Sequence, residues 1–286
     1  MNTHARRIAL ITTVLALLVV AGCGGGGGGG SSKLSGNVAL AQAEWIVVNL
    51  ATGEASGRRG SPDPADDSLR TDSILFVALP AGSGAAGSPL GTRWAQPDEV
   101  VGSAGAARIF VSVYEVTRGQ WQRLASTTPW AGLDSALLGS VDERLPASGF
   151  SLDLANAGLV IGSDRCAGSF RLLSAGEWEY ACRAGSNGRF AWGDAIDSAT
   201  VGLHAQVAET TGANPGPQRV GSRLANAYGL FDTHGSMWEL SADGSLHGGS
   251  WRDSLPMARA ANTIAIDRST PHALAGLRLV YRPDGP

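Results

Sequence analysis

The residues of this chain that could do chemistry are three cysteines and a handful of histidines. Cys23 follows a short apolar run, and Cys166 and Cys182 lie far downstream. In an oxidising compartment Cys166 and Cys182 could form a disulfide; as small apolar residues they could equally sit buried and unpaired, and their spacing leaves both readings open. The histidines are His4, His204, His234, His247 and His272. None shows the H-x-x-x-H spacing that would put two imidazoles on one helical face. Ser250 lies close to His247 in sequence, but nothing argues that a base reaches its hydroxyl, so no nucleophile–base pair is expected.

The N-terminus sets the compartment. Arg6 and Arg7 precede Ile8–Val20, an uncharged run too short for a permanent membrane span. It ends in Val20-Ala21-Gly22-Cys23, which resembles a bacterial lipoprotein cleavage box. Residues 1–22 are therefore expected to be a lipoprotein signal peptide, and residues 23–36 a lipidated Cys23 with a Gly/Ser tether. Several acyl chains on one residue would make a stable anchor. The residue after Cys23 is Gly24, not the aspartate that often retains lipoproteins at the inner membrane, so an outer-membrane or periplasmic-side destination is favoured. Loss of residues 1–22 takes the formal charge from −3 to −5, since they carry two arginines and no acid. A mildly acidic surface without a basic cluster argues against nucleic acid as a partner.

The elements that must position any site come next. Glu44–Leu50 reads as a strand followed by a turn at Ala51–Glu54, and Arg58–Asp67 as a polar loop. Residues 37–71 thus form an N-terminal strand or hairpin extension, joined to the main domain or standing apart. Ile74–Leu79 and Ile109–Val116 read as strands. Thr117 with Gln120, and Ser174 with Glu177, are spaced as capping boxes opening two short helices. Trp121 and Leu124 should face the core on the first helix, and Trp178, Ala181 and Cys182 on the second. The remainder reads as short strands and Gly-rich loops, with eight tryptophans supplying buried area. The expected class is α+β.

Read in order, the motifs resemble the formylglycine-generating enzyme, or sulfatase-modifying factor, family. They are Phe76–Gly91 (FVALPAGSGAAGSPLG), Ser112–Trp121 (SVYEVTRGQW), Phe170–Gly185 (FRLLSAGEWEYACRAG), Phe190–Asp194 (FAWGD), Asn226–Leu240 (NAYGLFDTHGSMWEL), His247–Trp251 (HGGSW) and Gly276–Val280 (GLRLV). The main domain, residues 72–284, is expected to take that family's fold. It is related to C-type lectins, with short strands, few short helices and long loops. Trp192, Trp238 and Trp251 are expected as core anchors, and His234, in a turn where the family often carries a polar residue, at the surface.

The resemblance also implies chemistry, and this sequence departs from it. The family's oxidases hold copper with two thiolates, the soft ligands that Cu(I) requires. Those positions fall here at Asp253 and Ala258, so copper is not expected. A non-heme iron site built from His204, His247 and Asp253 stays open as an alternative. A calcium site resembling the family's would use Asp232, Ser236 and Glu239, although Ser236 replaces the usual asparagine. The family's substrate groove would be lined here by Ser250, Trp251, Arg252, Asp253 and Arg259. The leading expectation is a lipid-anchored domain that has lost copper chemistry and binds a protein, peptide or glycan. An oxidase or tailoring enzyme with another metal, and an envelope-assembly component, are the alternatives.

Overall fold

The run from Ile74 to Leu79 is almost wholly apolar because the strand it forms is covered on both faces. In the computed structural model, residues 35–284 are described, apart from 61, 64, 90, 98, 100 and 214. The signal segment 1–22, Cys23 and the tether as far as residue 34 lie outside the described residues. In chain order the strands are β1 (Ser35–Val38), β2 (Trp45–Asn49), β3 (Ala55–Arg59), β4 (Ser73–Leu79), β5 (Gly82–Ala86), β6 (Gly102–Ala106), β7 (Ile109–Ser112), β8 (Ser169–Leu172), β9 (Trp238–Leu240), β10 (Ser245–His247), β11 (Thr263–Ala265), β12 (Ala275–Gly276) and β13 (Leu279–Arg282). The helices are α1 (Arg118–Ala125), α2 (Ser135–Leu138), α3 (Leu152–Arg165), α4 (Ala175–Arg183) and α5 (Ser198–His204).

The main sheet has the order β1-β3-β2-β4-β7-β13-β8, with every neighbouring pair antiparallel. A smaller sheet runs β11-β10-β9-β12, and β5-β6 forms a separate ribbon. The architecture is α+β, with short strands, few helices and open sheets. The N-terminal extension joins the main sheet: β2 and β3 form a hairpin, and β2 pairs with β4 along its whole length.

Alternation along β4 builds two cores. Ile74 and Phe76 pack with Trp121, Leu124 and Leu159 of α1 and α3. Leu75, Val77 and Leu79 pack on the other face with Trp178, Ala181 and Cys182 of α4. Both capping boxes form, Thr117 with Gln120 and Ser174 with Glu177.

The longest helix, α3, departs from the sequence expectation of loop there. Its Gly158 and Gly162 lower helical propensity, but they form the notch into which α1 fits. A Cβ on Gly158 would stand 2.3 Å from the Trp121 ring, and one on Gly162 2.5 Å from Leu124. Gly158→Val is therefore expected to destabilise the domain by about 3 kcal/mol through overpacking. Gly176 of α4 has open space around it, so Gly176→Ala should be neutral or stabilise by up to about 1 kcal/mol. Urea unfolding of the two variants checks the contrast.

Candidate functional site

The segment after β10 turns sharply at Gly248 and Gly249, whose φ values of +84° and +72° favour glycine. It then closes on itself. Asp253 Oδ2 accepts from the Ser250 amide at 3.0 Å and from the Ser250 hydroxyl at 2.5 Å. The Trp251 amide donates to the Ser236 carbonyl, and the Ala208 amide to the Asp253 carbonyl. The Leu255 amide donates to the Glu209 carboxylate at 3.1 and 3.2 Å. Segment 250–256 and the turn Ala208–Thr210 thus form one ridge.

Two hollows share this ridge as a wall. One, of about 630 Å³, has Trp251 and Arg252 on its wall opposite Asp134, Leu137 and Pro215. The other, of about 410 Å³, lies between Trp94, Ile196 and Val201 on one side and Leu255 and Pro256 on the other.

The expected groove residues therefore separate. Trp251, only 5 % exposed, contributes an edge, and Arg252 is exposed beside it. Ser250 and Asp253 brace the ridge. Arg259 does not face a groove: it is 1 % exposed and forms a two-pronged ion pair with Glu99, at 2.6 and 2.9 Å. A buried guanidinium must be paired, and Glu99 supplies the charge. Burial draws the Glu99 carboxyl upward, but Arg259, Ser88 and the Gln96 amide bring it below its ordinary value.

The residues of the iron alternative, His204, His247 and Asp253, each have separate neighbours. His247 stacks on Trp178 at 4.8 Å and meets the Ser245 hydroxyl at 2.9 Å. His204 stacks on Trp192 at 5.1 Å, at the mouth of a small cavity of about 150 Å³. Asp253 is engaged by Ser250 as above. Among the described residues, no group of three or more His, Cys, Asp or Glu side chains stands where it could hold a metal ion.

His234 departs from its expected surface position and is 2 % exposed. Burial is tolerated because both ring nitrogens are used. The Ala258 carbonyl, 2.7 Å from Nδ1, can only accept, so Nδ1 carries the proton. The Ala191 amide, 3.0 Å from Nε2, can only donate, so Nε2 is bare. The Cys182 thiol stands 3.6 Å from that same Nε2. Burial pushes the His234 pKa down to about 4 and the Cys182 thiol well up, so the two meet as neutral groups, not as thiolate and imidazolium. Cys182 and Cys166 are both free thiols, one beneath α4 and the other at the end of α3. The disulfide reading is thereby corrected. Trp192, expected as a core anchor, is only half-buried and lines the His204 cavity.

The expected calcium ligands have partners within the fold, with one exception. The Ser236 hydroxyl donates to Glu115 Oε2 at 2.6 Å. Glu239 accepts from Arg278 on both oxygens and from the Trp178 indole at 2.6 Å. Asp232 accepts from the Gly221 amide, and its other oxygen is buried without a partner. Burial raises its pKa to about 6, against the pull of the Gly221 amide and Arg278. Calcium takes carboxylate, amide, main-chain and water oxygens, and of the three expected side chains only the second Asp232 oxygen is left without a partner. Glu115 also lies here, wholly buried. Burial, with repulsion from Asp232 and Glu239, pushes it well above the ordinary carboxylate range.

Sequence reasoning passed over Glu115, Arg278, Glu99, Glu209 and Trp94. A charged residue inside an apolar run, as in Val113-Tyr114-Glu115-Val116 and Leu277-Arg278-Leu279-Val280, was the available signal for the first two.

The family described as sulfatase-modifying factor enzyme 1-like domain matches residues 69–283. Among solved structures, PvdO from Pseudomonas aeruginosa is similar at 24 % identity and a TM-score of 0.62, covering 73 % of this chain and 94 % of that one. The Treponema denticola variable protein 1 is similar at 17 % identity and 0.62, covering 74 % and 96 %. CarF is similar at 19 % identity and 0.54, covering 74 % and 99 %. At these identities the likeness is one of fold. No match is found among curated protein sequences.

Proposed function

The chain belongs to the sulfatase-modifying factor enzyme 1-like domain family, and from that membership we propose that it is a lipid-anchored peptide-binding protein without the family's copper chemistry. One observation carries the reading. The two positions that the resemblance reserves for copper thiolates are Asp253 and Ala258, and both are built into the fold. Asp253 closes the Ser250 turn, and Ala258 is fully buried with its carbonyl on His234. Neither offers a soft donor, and no neighbouring thiolate replaces them, since Cys182 lies buried as a thiol.

What remains is shape. Two hollows back onto a single ridge that intramolecular hydrogen bonds already hold, so little ordering cost falls on the protein when a ligand binds. Hollows spaced along a ridge suit an extended peptide, whose side chains can enter them separately. Export and anchoring at Cys23, with the domain on the outer-membrane or periplasmic side, complete the proposal.

The test is turnover. The full chain, incubated in air with copper and a cysteine-containing sulfatase peptide, is expected to yield no aldehyde product by mass spectrometry. Stoichiometric conversion of the cysteine would overturn the proposal.

A further inference from the structure

We propose that the hollow beside Arg118 binds a small organic carboxylate, its acid group on the guanidinium and its apolar part against Trp130, Leu138 and Val141. The inference does not depend on the peptide-binding reading, because this hollow shares no lining residue with the two at the ridge.

Arg118 is a buried charge without a counter-ion. The residue is 6 % exposed, yet no described carboxylate forms an ion pair with it. Its Nη1 donates to the Ser140 carbonyl at 2.7 Å, and its Nη2 to the Leu138 carbonyl. These bonds use two of the five N–H groups of a guanidinium, and Nε is buried with no partner at all. The other buried arginines behave differently: Arg183, Arg259 and Arg278 each hold a carboxylate, Glu179, Glu99 and Glu239 in turn. A desolvated cation is stable where an opposite charge meets it, and Arg118 alone among these four lacks one. Burial lowers its pKa, and only Asp142 acts against that. Asp142 is itself held between Arg144 at 3.1 Å and Arg219 at 2.6 Å.

The space beside the guanidinium fits such a partner. The hollow, of about 320 Å³, has room for a carboxylate carrying a short chain or a ring. A planar guanidinium matches a carboxylate in geometry as well as in charge. The Trp130 ring lies 5.9 Å from the Arg118 guanidinium, and Val141 stands fully exposed at the rim, so apolar surface adjoins the charge. Glu143, also on the wall, is half exposed and bonded to Arg123, which holds Asp72 as well. Water screens exposed charges of that kind far more than it screens Arg118.

The test titrates hexanoate, acetate and hexylamine into the purified full chain at neutral pH by calorimetry. Hexanoate is expected to bind, acetate at least tenfold more weakly for want of apolar contact, and hexylamine not at all. Gln122→Glu sets an acid one helical turn from Arg118, at an exposed position on the rim. It should supply the counter-charge from within, weakening hexanoate binding at least tenfold without lowering the thermal midpoint. No heat with hexanoate, equal binding of hexylamine, or hexanoate binding unchanged by Gln122→Glu would each overturn the proposal. Acetate binding as tight as that of hexanoate would overturn the apolar half of the ligand. None of these results bears on the ridge hollows.

Discussion

Arg278→Met is expected to destabilise the domain by about 4 kcal/mol or more, enough to leave much of the chain unfolded. The side chain is 1 % exposed, and every donor on it is used. Nε and Nη2 hold the two oxygens of Glu239. Nη1 donates to the carbonyls of Ser112 and Val113, both at 2.9 Å, and Nη2 to that of Phe231 at 2.7 Å. One guanidinium, just ahead of β13, thus ties the chain there to the end of β7, to the loop before Asp232 and to β9. Burial works against its charge, but Glu239, Glu115 and Asp232 hold its pKa above the ordinary value. Methionine fills the space and removes the charge, which strands Glu239 and three carbonyls without their donor. Adding Glu239→Gln should recover part of the loss, because it removes the unpaired charge. Urea unfolding followed by near-ultraviolet circular dichroism decides it. An unchanged midpoint for Arg278→Met would show that packing alone holds these segments.

Cys23→Ser is expected to move the protein wholly from the membrane fraction to the soluble exported fraction. The proposed anchor depends on acyl chains carried by that one thiol, and a serine hydroxyl does not replace it. Each buried methylene contributes about 0.8 kcal/mol, so several chains hold firmly where one binds marginally. Among the described residues, no helix is long and apolar enough to cross a membrane and substitute for the lipid. Labelled palmitate should enter the parent chain and not the variant. A variant that remains with membranes after a salt wash would sink the proposed anchor.

Much of the fold was legible because it rests on local chemistry. The helices α1 and α4 start where a hydroxyl and a side chain three residues later can satisfy the first amides, and both capping boxes form as spaced. The run Ile74–Leu79 announced a strand buried on two faces. The order of the motifs announced the family. By contrast, α3 was not legible, since its two glycines argue against a helix until Trp121 and Leu124 are seen to occupy the space they leave.

The site divides in the same way. That positions 253 and 258 hold aspartate and alanine is a fact of residue type, legible in the sequence alone. Where a polar side chain points is a fact of its partners. Arg259 faces Glu99 across 160 residues, and Glu239 faces Arg278 across 39. The His234 ring is buried between the Ala191 amide and the Ala258 carbonyl. Buried charges and imidazoles are stable only where such partners converge, and chain topology sets that convergence. Only the tertiary structure could therefore decide that Arg259 is a core pin, that Glu239 serves an arginine, and that two hollows share one ridge as a wall.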